Sequence, residues 1–363
     1  MLFLGTLDII LVAAQKGFYD EQQCDRFIQT ALTFNKACFP KGVTAMSFRK
    51  EEFQIVFHSY RCEETGEQFE DELFSQLNYN QLVNQYREKY TIPFPDQIIA
   101  IREKYDLSAV KMSVILGFGA NGYRLYEGGE VPSQSNARLI QVVEDPQEFR
   151  KFVEVCVELD SSLKEKLFRR IDHLLEIQRD AFFEKQVENY FFEGGKPGKL
   201  TGYRKPNLEK FSEMVVYFTE ALQPWKTKMN KLLFYSDFLM HKQYAFSISG
   251  VQYRAIDMGP VPNNFNSIFE YLSNKNKVDI QNFSFPDGGT GEQFKPNGKS
   301  MFRPEVFTNE ELAILKTVAE RFKKTSTTDI IDFSHKEKAW IENQENKKLI
   351  DYAYSFDLID FSN

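Results

Sequence analysis

The chain has 363 residues, a net charge of −7 and a pI of about 5.4, which argue against a general nucleic-acid binder and are compatible with basic protein partners. Its length suffices for two or three domains, and 35 Phe and 17 Tyr residues supply ample apolar material for their cores. The four cysteines, Cys24, Cys38, Cys62 and Cys156, show no paired spacing, so no disulfide framework is indicated and a cytoplasmic location is expected.

The first 45 residues show no clear relation to the rest of the chain. The opening stretch MLFLGTLDIILVAA is apolar, but it lacks the basic start of a signal peptide, and Asp8 interrupts it. It is also too short to span a bilayer. We therefore expect a short docking helix or a frayed extension over residues 1–45, with no membrane partner.

The next segment, residues 46–92, predicts a pair of strands and a connecting helix. Phe53, Ile55 and Phe57 alternate with the residues between them, as in a strand with one buried face, and the sequence CEETGE at Cys62–Glu67 supplies a turn. This turn resembles the second half of the small zinc ribbon that precedes the helix-turn-helix in MqsA-like antitoxins, where the pattern is C-x-x-C-G-E.

The resemblance is to a degenerate zinc ribbon, because Thr65 stands at the position of the second cysteine. A structural zinc site needs four ligands, which one cysteine and a threonine do not supply. We expect neither zinc nor any other cofactor, and a hairpin held by its apolar face.

Residues 93–146 predict short helices separated by turns. Ser108 is a good N-cap for a helix that ends at Gly117, where a left-handed residue is expected. A second short helix over ANGYRLYE comes next, with Tyr123 and Tyr126 facing inward, and a third begins at a serine cap in SQSNARLIQVV.

The glycines Gly117, Gly119 and Gly122 also have the G-x-G-x-x-G spacing of a dinucleotide-binding loop. That loop needs a buried strand immediately before it and a helix after it. Because the residues before Gly117 have helical spacing, the dinucleotide interpretation is disfavoured.

The stretch LSAVKMSVILGFGANGYRLYEGGEVPS resembles the Xre/Cro-type helix-turn-helix, including the Y-E-x-G signature at Tyr126, Glu127 and Gly129. In that family the second helix of the pair enters the major groove of DNA. The resemblance implies contacts with operator DNA from Ser108, Ala120, Asn121, Arg124 and Leu125.

Two departures from the family pattern reduce the polar groups on that DNA face. Ala109 stands where the family often has Gln, and Gly122 where it often has a polar side chain. The segment is not basic either, so DNA binding is expected to need a homodimer or another partner. A helix-turn-helix retained only for protein contacts is the alternative.

A charged helical connector spans residues 147–192 and leads to a predicted boundary. Asp145 and Pro146 mark its start, and Asp160–Ser162 a break. The Gly, Pro and Lys content of Glu193–Asn207 predicts a flexible linker. The part from Leu208 to Asn363 is therefore expected to fold alone.

The region after this linker predicts helices around a short β element. A helix covers Met229–Leu239, a strand covers Val251–Ile256, and a rigid Gly-Pro-Val-Pro loop covers Gly259–Pro262. Thr308 begins a later helix, with Glu311 at the capping-box position. The fold class predicted for the whole chain is mainly α, as an α+β protein with small β segments.

Three blocks of this region, NKLLFYSDFL, SISGVQYRAIDMGPVP and SHKEKAW, resemble the SocA-like antitoxin family that carries the Panacea domain. The blocks lie within residues 208–354 and occur in the family's order. Members are bacterial and phage antitoxins whose Panacea domain binds a toxin encoded beside them. The toxins are diverse and include translation-inhibiting enzymes related to alarmone synthetases. The resemblance implies a non-enzymatic protein with a cognate toxin and operator DNA as partners.

Within the domain, the expected toxin-contact surface consists of a strand and the loop after it, namely Tyr253, Arg254, Gly259, Pro260, Val261 and Pro262. Tyr and Arg are favoured at the centres of interfaces, and prolines limit the entropy lost on binding. The alternative for Tyr253 is a place in the core.

Two other functions stay open from the residues themselves. Asp237, His241, Tyr253 and His335 form a candidate catalytic set of a hydrolase, although no Ser, Cys or second carboxylate stands at a spacing that completes a nucleophile–base pair. Structural histidines are favoured, with His335 packed against Trp340 or capping a helix. A transcriptional repressor that senses another ligand, with no toxin partner, is the second possibility.

Overall fold

The structure is a computed structural model, and it describes residues 37–38, 41–62, 66, 68–180, 182–286, 288–359 and 361. The chain divides into two compact units, one ending at Leu82 and the other covering Val83–Asn363. Most of the predicted extension and Thr65 lie outside the described residues. In the described part, no helix is long and apolar enough to cross a membrane.

The described elements, numbered in chain order, are mainly helical with short strands, which confirms the predicted fold class. The strands are β1 (Ala37–Cys38), β2 (Lys41–Phe48), β3 (Glu51–His58), β4 (Tyr60–Cys62), β5 (Gln68–Phe69), β6 (Tyr253–Ile256), β7 (Gly259–Pro262), β8 (Asp279–Ser284) and β9 (Thr290–Lys295). The helices are α1 (Glu72–Tyr90), α2 (Pro95–Lys104), α3 (Ala109–Leu116), α4 (Gly122–Glu127), α5 (Gln134–Val142), α6 (Pro146–Val155), α7 (Ser161–Asp180), α8 (Phe182–Phe192), α9 (Leu208–Leu222), α10 (Lys226–Tyr244), α11 (Phe265–Asn274), α12 (Asn309–Phe322), α13 (Thr327–Lys336) and α14 (Lys338–Ile341).

The N-terminal unit contains a hairpin that the sequence pattern locates only in part. Strand β2 pairs with β3 in antiparallel register from Lys41 opposite His58 to Phe48 opposite Glu51. The hairpin thus begins before Met46, and its turn is at Arg49–Lys50, where both residues have positive φ. Most of the predicted turn CEETGE lies outside the described residues, and the strands before and after it, β4 and β5, pair with each other in antiparallel register.

The larger unit contains two hydrophobic cores. The first is built from α2–α7 and runs from Ile98 to Leu174. The second surrounds α10, whose residues from Lys228 to His241 are all buried, and it extends from Phe191 to Leu358. A helix that is buried on every side must be covered by neighbouring elements, and β7, α12 and α13 pack against it.

The predicted linker Glu193–Asn207 is not separate from the second core. Phe191 and Phe192, just before it, belong to that core. The Tyr352 N–H donates to the Lys199 carbonyl over 3.0 Å, and a Cβ on Gly250 would lie 2.7 Å from the Lys205 carbonyl carbon. The structure therefore differs from the expected flexible linker, because glycines here allow close packing of backbone on backbone.

Candidate functional site

Helices α3 and α4 begin and end as their local sequence predicts. The Ser108 hydroxyl accepts a hydrogen bond from the Lys111 N–H (3.3 Å), and Gly117 ends α3 in the left-handed region with φ of 71°. Because a helix and not a strand precedes Gly117, the G-x-G-x-x-G spacing here belongs to a turn between helices.

Helix α4 is fixed to its neighbours through Tyr123, which is fully buried. Its hydroxyl donates to the Ile98 carbonyl (2.8 Å), and its N–H donates to the Ser113 hydroxyl (2.8 Å). A Cβ at Gly122 would lie 2.9 Å from the Cβ of Phe118. Glycine at this position thus permits the turn to pack against the start of α4.

The signature residue Glu127 has a structural role in this chain. Its carboxylate accepts a hydrogen bond from the Arg102 Nε, and the Arg102 Nη1 donates to the Leu107 carbonyl (2.9 Å). Both side chains of the ion pair are more than four-fifths buried. The pair joins the end of α4 to α2 and the turn after it, so α4 is held at both ends.

The five residues expected to contact DNA are at the surface of the α3–α4 segment. Ser108, Ala120, Asn121, Arg124 and Leu125 are all exposed, and Leu125 retains 51% of its accessible surface. Among the described residues, the Arg124 guanidinium has no hydrogen-bond or ion-pair partner. Arg124 is therefore available to a ligand, and its role in DNA contact stays a prediction.

Asp237, on α10, is the centre of a buried hydrogen-bond network. Its carboxylate accepts hydrogen bonds from the N–H groups of Ile248 and Ser249 (both 2.8 Å), from the Ser249 hydroxyl, and from the Tyr253 hydroxyl (2.8 Å). Complete burial raises the pKa of Asp237, while these hydrogen bonds act in the opposite direction. The network fixes the loop before β6 against α10.

His241 lies one turn further along α10 but has different partners. Its Nδ1 is 2.8 Å from the Ser355 hydroxyl, and burial lowers its pKa to about 3. The structure gives no hydrogen bond between His241 and Asp237, and both are buried. Asp237 and His241 therefore do not form an accessible pair of catalytic groups, as a hydrolase would require.

The expected toxin-contact residues are mostly internal. Tyr253, Gly259, Pro260, Val261 and Pro262 are buried, and of the six only Arg254 is partly accessible. Tyr253 thus occupies a core position, which was the alternative to a contact role. The exposed residues of this hairpin are at its tip, where Asp257 and Met258 connect β6 to β7.

A buried lysine that sequence analysis missed lies beneath β7. The Lys231 ammonium, on α10, donates to the Pro260 carbonyl (2.9 Å), and burial lowers its pKa to about 7. A Cβ on Gly259 would lie 2.5 Å from the Ser334 hydroxyl and 2.7 Å from the Lys231 Cε. A larger residue there would have to displace the Ser334 and Lys231 side chains and adopt a φ of 95°, which favours glycine.

His335 stacks on Trp340, as predicted, with ring centroids 3.9 Å apart. The Trp340 indole N–H donates to the Ile256 carbonyl (2.8 Å), so the SHKEKAW block supports the end of β6. Burial and the nearby Lys231 lower the pKa of His335. Together with the Asp237 network, these contacts join the blocks NKLLFYSDFL, SISGVQYRAIDMGPVP and SHKEKAW, which are distant in sequence, into one structural unit.

Residues 229–341 match the family model described as "Antitoxin SocA-like, Panacea domain". A comparison with curated proteins found no match, and neither did a comparison with solved structures. The matched range contains most of α10, the β6–β7 hairpin and the SHKEKAW block. The similarity of this region to a SocA-like antitoxin domain therefore supports an antitoxin role, and it suggests a non-enzymatic regulator.

Proposed function

We propose that this protein is the antitoxin of a bacterial toxin–antitoxin pair and neutralises its toxin by direct binding through the C-terminal region. The observation that carries the proposal is the match of residues 229–341 to the SocA-like antitoxin domain. Burial of Asp237 and His241 agrees with a binding role for this region, because neither group is presented to a substrate.

The neutralising surface is proposed to include the accessible side of the β6–β7 hairpin. Arg254 is held there by hydrogen bonds to the Lys347 carbonyl (2.7 Å) and the Asn263 side chain (3.3 Å). Met258, at the tip of the same hairpin, has 49% of its surface exposed. The buried residues Gly259–Pro262 act as the rigid support of this surface, so little entropy is lost when a partner binds.

The operator-binding part of the proposal rests on the α3–α4 pair. Asn121 and Arg124 are exposed on it, whereas Tyr123 is buried, which is the division that a recognition helix requires. The Xre-type assignment and the DNA contacts remain proposals. In this view the protein also regulates its own operon, with a homodimer binding two half-sites.

Co-expression with the neighbouring genes tests the main proposal. We expect one neighbour to stop growth when expressed alone and to be harmless when this protein is present, and we expect the two proteins to copurify. Met258→Asp is expected to weaken neutralisation, whereas Val157→Asp, at a residue with 86% exposure on another part of the chain, is a control that should leave it unchanged. If this protein restores growth in the presence of none of the neighbouring gene products, the antitoxin role is refuted.

The same experiment separates the alternatives. A repressor without a toxin partner would bind the promoter, yet no neighbouring product would be toxic. A hydrolase would lose its function on Asp237→Asn in a variant that still folds. Neutralisation at a fixed ratio of antitoxin to toxin, with no turnover, is the result that the binding proposal requires.

A further inference from the structure

The β8–β9 hairpin has one edge attached to the domain and one edge open. On the attached side, the Phe294 N–H donates to the Pro224 carbonyl (2.9 Å), and Gln293 forms a bridge with Trp225. On the other side, β8 has no strand beside it in the described structure. The hairpin is therefore fixed in place while its outer strand is available for pairing.

The register identifies the backbone groups that the open edge presents. The Phe285 N–H donates to the Gly289 carbonyl (2.8 Å), which makes that pair hydrogen-bonded. Hydrogen-bonded and non-hydrogen-bonded pairs alternate along an antiparallel ladder. The backbone N–H and C=O groups that point towards β9 are therefore also those of Phe283, Gln281 and Asp279. The N–H and C=O groups of Ile280, Asn282 and Ser284 consequently point outward.

This edge lacks the usual protection against pairing. Natural edge strands are commonly blocked by charged side chains, above all lysine, by proline, by a bulge or by a covering element. Strand β8, with sequence DIQNFS, contains neither lysine nor proline, its one charged residue is Asp279 at its first position, and five of its six residues are exposed. The edge from Ile280 to Ser284 is therefore open to the addition of a strand from a partner.

An aromatic cluster stands at the end of the same strand. The Trp225 ring is 5.3 Å from Phe283 and 5.4 Å from Phe285 between centroids. A Cβ on Gly291 would lie 2.9 Å from the Phe285 ring, so the aromatic rings pack directly against the backbone of Gly291. Phe283 and Phe285 nevertheless keep 37% and 40% of their surface exposed, which leaves apolar area for a side chain from a partner.

We propose that the outer edge of β8 binds an extended segment of the toxin as an additional antiparallel strand. The inference rests on the proposed function, which supplies the toxin as the owner of the segment. Residues opposite Phe283, Gln281 and Asp279 share the aromatic face of the hairpin. The segment therefore has an apolar or β-branched residue opposite Phe283 and, four residues later, a basic residue opposite the exposed Asp279.

The test uses the full chain and two probes, a library of random displayed peptides and the toxin identified by co-expression. Asn282→Pro removes an outward N–H and leaves the β8–β9 ladder intact, because the Asn282 N–H does not point to β9. We expect selected peptides to bind this variant about tenfold more weakly or worse, with an unchanged melting temperature. Peptides selected on the wild type should show the apolar residue and the basic residue at the stated spacing.

Charge reversal gives a matched comparison. Peptides selected on the Asp279→Lys variant should lack the basic residue, whereas Glu345→Lys, at an exposed carboxylate outside the hairpin, should not change the selected peptides.

A folded Asn282→Pro variant with wild-type affinity for peptides and toxin overturns the inference, and so does a selection that yields no peptide dependent on β8. Absence of any neutralised toxin refutes the proposed function instead, while the peptide result still decides whether the edge binds strands.

Discussion

Lys231 has no carboxylate as a hydrogen-bond partner among the described residues, although it is completely buried. Burial lowers its pKa from 10.5 to about 7. Between these pH values the unfolded chain binds a proton that the folded chain does not, so the free energy of unfolding rises with pH. The gain in the free energy of unfolding that comes from Lys231 begins near its folded pKa, and it is complete above its unfolded pKa.

Lys231→Met should remove this part of the pH dependence. We expect the wild type to gain up to about 1.4 kcal/mol per pH unit from Lys231 between its two pKa values, and the variant to lose that gain. Chemical denaturation at pH 7, 8 and 9 measures the slopes, with Lys316→Met as the exposed control. Equal slopes for all three proteins would show that Lys231 is already charged in the fold.

At the α3–α4 pair, replacement of both Asn121 and Arg124 by Ala should abolish operator binding and preserve toxin neutralisation. Each direct base contact is worth roughly 1–3 kcal/mol, and both side chains are exposed, so the fold should not change. Electrophoretic mobility shifts on the promoter fragment measure the effect. Unchanged promoter binding by the double variant would reject the assignment of this helix.

Several residue positions could be predicted because the cause is local. The Ser108 cap, the left-handed Gly117 and the Thr308–Glu311 capping box depend only on the few residues around them, and the structure confirms them. Lys231 and the inward position of Gly259–Pro262 depend on which elements cover α10, and that depends on contacts between distant parts of the chain.

At the scale of an element, the turn before α4 makes a distinct prediction about Gly122. Alanine normally favours a helix over glycine, but its Cβ here would lie 2.9 Å from the Cβ of Phe118, an atom that rotation of the side chain does not move. We expect Gly122→Ala to lower the free energy of unfolding by about 1–3 kcal/mol. The control Gly42→Ala meets no atom within 4 Å, and a stable Gly122→Ala protein would show that the turn can move.

The β elements show why sequence patterns locate turns only when turn residues are present. The β2–β3 turn uses Arg49 and Lys50 with positive φ, a conformation usually signalled by Asn or Gly. Neither residue gives that signal, so the sequence pattern places the hairpin too late in the chain. By contrast, Gly250 has positive φ immediately before the predicted strand Val251–Ile256, where glycine is the residue that a turn favours.

At the scale of the whole molecule, the contacts of Glu193–Asn207 predict the behaviour of fragments. The sequence suggests that Leu208–Asn363 folds alone, but a chain cut there loses the Lys199 carbonyl that the Tyr352 N–H uses and the Thr201 carbonyl that accepts from the buried Ser247 hydroxyl (2.7 Å). We expect this fragment to melt at a lower temperature than a fragment that starts at Val83. Equal melting temperatures would show that the segment adds no stability.

The same segment also joins the two cores of the larger unit. Arg204 forms an ion pair with Asp96 (2.8 Å) at the start of α2, and the Lys199 N–H donates to Glu88 (3.3 Å). Under the proposed function, an operator at α4 and a toxin near β6–β7 would act on one connected body, and their binding free energies would be linked by a thermodynamic cycle. The factor by which saturating toxin changes operator affinity must equal the factor by which saturating operator changes toxin affinity. A single titration from either direction would thus reveal whether the promoter responds to the amount of free toxin in the cell.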